Sequence, residues 1–289
     1  MPKILTVQDF IGDGARRFKK AGLSYGHGTD NPLDEAAWLV LETLRLPLDE
    51  TAPLGKKLTA AEAKAVASII EKRIKTRKPA AYLLNKAYIQ GLPFYVDERV
   101  IVPRSFIGEL LIDFDLMRPP KTVLDLCTGS GCLAILAAHV FPRARVDAVD
   151  LSAAALTVAK RNVREHDIVK RVRLFKGDLF KPLKSKKYDL IITNPPYVDA
   201  KAMKHLPPEY QHEPKMALAS GKDGLDLVRR ILKEAPLHLA PGGGLLCEIG
   251  RGRKLLEKEY PRLPFLWLDT ELSAGEVFWL TREQLAAGR

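Results

Sequence analysis

Asn194-Pro195-Pro196-Tyr197 follows directly on the apolar run Tyr188-Asp189-Leu190-Ile191-Ile192-Thr193, at the point where a buried strand would end. Each proline removes a backbone N–H and fixes its own φ, so the loop is stiff and rich in acceptors that no donor opposes. Such a loop suits a ligand that donates hydrogen bonds. The Asn194 amide oxygen and the Pro195 carbonyl could together grip a planar –NH2 group, with the Tyr197 ring against its conjugated plane. An isolated Asn-Pro is an ordinary strand-ending turn; all four residues after a buried strand point to binding.

A second constellation lies upstream. Asp125-Leu126-Cys127-Thr128-Gly129-Ser130-Gly131 spans the turn from a strand into a helix, where glycines let the backbone pass close to a ligand at the helix N-terminus. Gly129, Gly131 and Ala134 satisfy the pattern G-x-G-x-x-A, and Asp150 stands 19 residues after Gly131, placed to accept from ribose hydroxyls. No Lys-Ser/Thr follows the loop, which argues against a nucleoside triphosphatase. Asp125 separates the remaining nucleoside cofactors. A carboxylate there would repel a pyrophosphate but pair, directly or through water, with the ammonium of a methionine moiety, which favours S-adenosylmethionine over NAD. Asp178, in Lys176-Gly177-Asp178, could accept from an adenine amino group. Each aspartate alone is more often a cap or turn residue; the signal is their joint spacing ahead of the Asn194 loop.

The elements that must position these groups alternate from Lys121 onward: strands over 122–126, 145–149, 172–175, 190–193 and 245–249, helices over 132–140, from the Ser152 cap to 165 and over 225–239, a turn at Pro241-Gly242-Gly243-Gly244, and apolar runs near 265–268 and 277–280. This is the pattern of a doubly wound α/β domain with a parallel sheet. Residues 1–80 read as helical instead, with helices over 7–20, from Asn31-Pro32, and from the capping box Thr59-Ala60-Ala61-Glu62 to Thr76. The last has an apolar stripe of Ala63, Val66, Ala67, Ile70 and Ile74, and its Lys72, Arg73, Lys75, Arg77 and Lys78 read as complementing the helix C-terminus. Between them lie β-leaning pieces at 87–89, 92–96 and 99–102, with a hairpin turn expected at Asp97-Glu98, then a helix over 105–116. The expected organisation is a helical substrate-recognition domain (1–80), a β-hairpin and linker helix (81–118) and a catalytic domain (119–289).

Composition sets the bounds. The chain has 289 residues, 46% hydrophobic and 28% charged, as soluble globular proteins do, and no apolar run approaches the ~20 residues of a membrane span. With no signal-peptide pattern at Met1-Pro-Lys-Ile-Leu5, a cytoplasmic location is expected. Cys127, Cys132 and Cys247 are too few and too irregular for a disulfide framework or a zinc site, and no metal is expected. The net charge of +11 favours anionic surroundings such as RNA.

Together these residues resemble the motifs of Rossmann-type S-adenosylmethionine-dependent methyltransferases acting on conjugated amino groups. Asn194 to Tyr197 is common to the N5-glutamine and N6-adenine branches. The stretch from Gly91 to Ser105 with Glu109, and Leu206-Pro207, Glu213-Pro214, Ala217-Leu218 and Gly221 to Leu225, resemble the protein-glutamine branch. Cys127 to Cys132, Val102-Pro103-Arg104-Ser105 and Tyr25-Gly26-His27-Gly28-Thr29-Asp30-Asn31 look like its group acting on the third protein of the large ribosomal subunit; the release-factor group usually has Gly where Cys127 stands. Phe106-Ile107-Gly108 departs from the pattern, which has a proline there. The resemblance implies a seven-stranded, mostly parallel sheet and methyl transfer to a glutamine N5 of that ribosomal protein, close to ribosomal RNA, with S-adenosylhomocysteine as product. It implies cofactor contacts from Asp125, Thr128, Gly129, Gly131, Asp150, Asp178 and Asn194, and a catalytic loop of Asn194, Pro195, Pro196 and Tyr197. The alternatives are a release-factor glutamine methyltransferase, an N6-adenine methyltransferase on nucleic acid, and a catalytically silent module docking on ribosomal particles.

Overall fold

The computed structural model describes residues 5–113, 118–271 and 273–288. Helices α1 (Val7–Lys20), α2 (Pro32–Thr43), α3 (Ala60–Thr76) and the short α4 (Ala80–Leu84) come first. Side chains start the first three: Thr6 and Thr59 form reciprocal capping boxes with Asp9 and Glu62, and Asn31 accepts from the Leu33 and Asp34 amides. The stripe expected on α3 is corrected in part. Val66 and Ile70 are buried, Ala67 faces solvent, and the third buried position belongs to Arg73, whose Nε meets Glu35 of α2 at 2.8 Å.

The hairpin pairs β1 (Ala87–Ile89) with β2 (Leu92–Phe94), Ala87 opposite Phe94. Its turn is not at Asp97-Glu98, as expected, but at Gln90-Gly91, both with positive φ (48° and 74°), the geometry a two-residue hairpin turn requires. Residues 99–102 form no strand; the Asp97 carboxylate accepts from the Arg99 amide at 3.0 Å and makes a turn there. Helix α5 (Ile107–Asp113) follows, and the end expected for it near Leu116 lies outside the described residues.

The rest alternates as β3 (Thr122–Leu126), α6 (Cys132–Val140), β4 (Arg145–Asp150), α7 (Ala153–Glu165), β5 (Val172–Lys176), β6 (Tyr188–Thr193), α8 (Asp226–Glu234), β7 (Leu239–Glu248), α9 (Arg253–Glu259), β8 (Leu266–Leu268), β9 (Val277–Thr281) and α10 (Arg282–Ala287). These strands form one seven-stranded sheet, order β5-β4-β3-β6-β7-β9-β8, parallel from β5 to β7 and antiparallel at β9. Strand residues alternate between two cores: Val123, Leu190 and Ile192 pack with α6, while Leu124, Ile191 and Leu245 pack with α8. Burial on both faces explains why these strands read as nearly continuous apolar runs. A third core joins the N-terminal helices to Val96, Val100 and Val102 and to Ala155 and Val158 of α7.

Three further expectations change. Helix α8 stops at Glu234, and Leu239 already belongs to β7. The expected Pro241-Gly turn is a bulge within β7: Leu239 pairs with Tyr188 but Gly244 with Leu190, so the surplus residues loop out. Helices α9 and α10 were not expected. Among the described residues, no helix is long and apolar enough to cross a membrane.

Candidate active site

Strands β4 and β5 lie on one side of β3, while β6 and β7 lie on the other. Doubly wound sheets bind ligands outside the carboxyl ends of their strands at such a reversal. Leu126 and Thr193 are paired there, and the Thr193 hydroxyl donates to the Leu126 carbonyl at 3.0 Å. The glycine loop and the Asn194 loop therefore leave the sheet side by side. Two cavities open on them. One, about 110 Å³, is bordered by Cys127, Gly129, Asp150, Asp178 and Asn194; the other, about 440 Å³, by Arg104, Asn194, Pro195, Tyr197 and Tyr210. Ile101, Asn194, Pro196 and Ala217 border both.

Asp125 lies behind the first cavity, 1% exposed. Its Oδ2 accepts from the Thr128 hydroxyl and, at 3.1 Å, from the Ala134 amide, so it caps the first turn of α6, where the N-cap Gly131 has no side chain to do so. Its Oδ1 is buried and carries no hydrogen bond. Burial, working against those two bonds, pushes the carboxyl up to about 7. Gly129 and Gly131 have φ of +56° and +81°, and Cys127 shares the left-handed conformation at +58°, which glycine would hold with less strain.

Asp150 ties this loop down. Its Oδ2 accepts from the Gly129 amide and its Oδ1 from the Ser152 amide, both at 2.8 Å; burial raises its pKa. A carboxylate offers about four lone-pair positions, so acceptor capacity remains. Asp178 borders the same cavity already paired, with Arg230 of α8 and Lys181 each at 2.8 Å, and their bonds hold its pKa down. The Asp178–Arg230 pair spans 52 residues, and no local pattern announces it.

On the other side, Pro195 and Pro196 are buried and Asn194 is half-buried. Among the described residues no hydrogen bond engages the Asn194 side chain or the Pro195 carbonyl. The loop is pinned behind them: the Val198 amide donates to the Leu218 carbonyl at 2.8 Å, and Gly224 (φ +86°) lies so close that an added Cβ would sit 2.3 Å from the Tyr197 carbonyl oxygen. Tyr197 is less free than the sequence suggests, because its hydroxyl donates to Glu248 Oε1 at 3.1 Å and its ring packs on Gly250.

Glu248, the last residue of β7 and fully buried, went unnoticed in the sequence. It also accepts from the Ser105 hydroxyl at 2.6 Å and the Phe106 amide at 3.0 Å, tying the 105–106 segment to Tyr197. Burial outweighs these bonds and pushes its carboxyl up to about 7. The available signal was a carboxylate inside the apolar run Leu245-Leu246-Cys247-Glu248-Ile249. In the sequence Arg104 carries no signal beyond its place in Val102-Pro103-Arg104-Ser105. Its guanidinium grips Glu213 through two bonds of 2.6 and 2.7 Å, and although burial alone would raise it, this fork holds Glu213 down to about 2.

Residues 108–209 match the family described as methyltransferase small domain. A ribosomal protein uL3 glutamine methyltransferase of Bradyrhizobium diazoefficiens is 56% identical over 98% of this chain and 92% of its own length. One from Neisseria meningitidis serogroup B is 52% identical over 98% and 95%. Among solved structures, a methyltransferase from Pyrococcus furiosus superimposes with a TM-score of 0.50 at 22% identity, over 74% of this chain and 98% of that one, a likeness of fold.

Proposed function

The chain belongs to the ribosomal protein uL3 glutamine methyltransferases, and on that premise we propose that it moves a methyl group from S-adenosylmethionine to the side-chain amide nitrogen of a glutamine in that ribosomal protein. One observation carries this reading at the level of residues: Asn194 and Pro196 stand in the shared wall of two cavities, one suited to the methyl donor and the other to the amide.

The residues around the smaller cavity fit the donor. Asp125 Oδ1, a buried acceptor without a partner, suits the ammonium of the methionine moiety, directly or through water. Asp150 suits the ribose hydroxyls, Thr128, Gly129 and Gly131 form the turn between them, and Asp178, which borders the same cavity, suits the adenine amino group. S-adenosylmethionine supplies an electrophilic methyl on a sulfonium and leaves as S-adenosylhomocysteine.

An amide nitrogen is a poor nucleophile because its lone pair is delocalised into the carbonyl, so the chain must supply geometry and charge. Asn194 Oδ1 and the Pro195 carbonyl accept from the two amide hydrogens and aim the nitrogen lone pair at the methyl carbon. As the N–C bond forms and the S–C bond breaks, positive charge grows on nitrogen and both hydrogen bonds become charge-assisted. They strengthen most in the transition state, which is the condition for catalysis. The alkylated nitrogen then loses its proton to water. Tyr197, fixed by Glu248, lines the amide side.

In this reading residues 1–80 recognise the protein substrate, 81–118 link, and 119–289 carry the chemistry. The net charge of +11 suits a substrate presented beside ribosomal RNA. The direct test incubates unmethylated uL3 with the enzyme and labelled cofactor and maps the label by mass. Label on one glutamine is the expected result; label on nucleic acid or a release factor would overturn it.

The role given to Asp125 has its own signature. Its carboxyl sits near pH 7 in the free protein, whereas the cofactor's ammonium favours the ionised form. Binding at or below that pH must then expel a proton, so affinity falls as pH drops below about 7 and levels off above it. Calorimetry in buffers of different ionisation enthalpy is expected to show the release in the wild type and not in Asp125→Asn. Equal proton release in both would remove this role.

A further inference from the structure

Residues 199–217 leave the Asn194 loop and return beside it, closed by the Val198–Leu218 bond of 2.8 Å and by the Ser220 amide on the Val198 carbonyl at 3.1 Å. This segment contains only short 3-10 turns, yet it places Leu206, Tyr210 and Ala217 on the wall of the larger cavity. A loop of this length inside a compact chain is usually functional.

Two carboxylates, both almost fully buried, hold it to the N-terminal half: Glu209 to α3 and the loop after α1, Glu213 to the 102–104 segment and His27. Glu209, 0% exposed, accepts from the Ser24 amide at 3.1 Å and faces Arg73 at 3.5 Å and Arg77 at 2.9 Å. Arg73 also donates to the Ser24 carbonyl at 3.0 Å. The basic end of α3, read from the sequence as simple helix complementation, is in part a socket for this loop. Glu213, 3% exposed, accepts from the Val102 amide at 2.9 Å and from Arg104, and lies 3.6 Å from His27 Nε2.

Between the two carboxylates the Tyr210 ring rests on the His27 ring, centroids 4.3 Å apart, with the Arg104 guanidinium 5.4 Å from its centre. The Gly26-His27-Gly28 motif serves this contact. Both glycines have positive φ (107° and 101°), and a Cβ on Gly26 would come within 2.9 Å of the Tyr210 hydroxyl. Buried ion pairs add little net stability compared with apolar packing, but they can impose one arrangement on the parts they join.

We infer that the N-terminal helices act on the reaction through this loop. His27, buried beside the Glu213 carboxylate, sets Tyr210 as a positioning residue that holds the segment flanking the target glutamine. The inference rests on the proposed function, and its failure is separable from that of the function. His27→Ala and Tyr210→Ala are each expected to raise KM for the ribosomal protein about tenfold, with kcat and cofactor Kd within about threefold of wild type, the pattern of lost substrate binding. His27→Phe, which keeps a ring under Tyr210, is expected to recover most of that loss. Because the two rings act as one unit, the double variant is expected to be no worse than either single one. An unchanged KM in either folded variant, an equal loss of cofactor affinity, or multiplying effects would each overturn the inference. Trypsin supplies a readout without substrate. Cleavage after the exposed Lys201, Lys204 and Lys215 is expected to quicken several-fold in His27→Ala, and unchanged cleavage overturns the inference whatever the substrate is. Wild-type enzyme that places no methyl on uL3 overturns the functional reading instead.

Discussion

Asn194→Ala is expected to lower turnover by about 10²–10³-fold, the range seen when one preorganised group that stabilises developing charge is removed. The side chain borders both cavities and has no hydrogen bond of its own among the described residues, so its removal leaves no partner in the chain unsatisfied. Pro195 and Pro196 remain to hold the loop, and Val198 remains pinned to Leu218. Stability should therefore hold, and cofactor affinity should change by no more than a few-fold. Single-turnover methyl transfer beside calorimetry separates the two quantities. Near-normal turnover would remove Asn194 from the chemistry and leave the loop as scaffold.

Asp150→Ala should give the opposite profile. Its carboxylate organises the glycine loop through the Gly129 and Ser152 amides and, in the proposed reading, accepts from the ribose as well. Hydrogen bonds to a charged group contribute roughly 1.5–3 kcal/mol, which corresponds to about 10–150-fold in cofactor Kd. At saturating cofactor, kcat should stay within a few-fold, because no step of methyl transfer runs through this side chain. Asp150→Asn retains one acceptor and should fall between. Calorimetry that finds unchanged affinity in Asp150→Ala would exclude the ribose role.

How far the sequence carried this reading depended on whether each signal was local. The capping box at Thr59, the N-cap at Asn31 and the buried strands β3 and β6 follow from patterns within about 20 residues, and Asp125, Asp150 and Asn194 were each legible from their place at a strand end. The hairpin was misplaced because Asp97-Glu98 looked like turn residues, whereas pairing is decided by which strands meet; Gln90-Gly91 carried the stronger two-residue turn chemistry. The bulge at Pro241 was missed because only the pairing of β7 with β6 shows that the strand continues past it. The ties that shape the site are longer still. Glu248 meets Ser105 across 143 residues and Arg104 meets Glu213 across 109, and no periodicity encodes such contacts. Their only trace was a charged residue standing in an apolar strand or a loop motif.

The meeting of Arg73 with Glu209 also has a consequence during synthesis. The chain is made from its amino end, and Glu209 follows Arg73 by 136 residues. At ~5–20 residues per second that interval is roughly 7–27 s, during which Arg73 has Glu35 as its only acidic partner of the two. The N-terminal helices are translated first, yet a carboxylate buried against them arrives only after the Asn194 loop itself has been made.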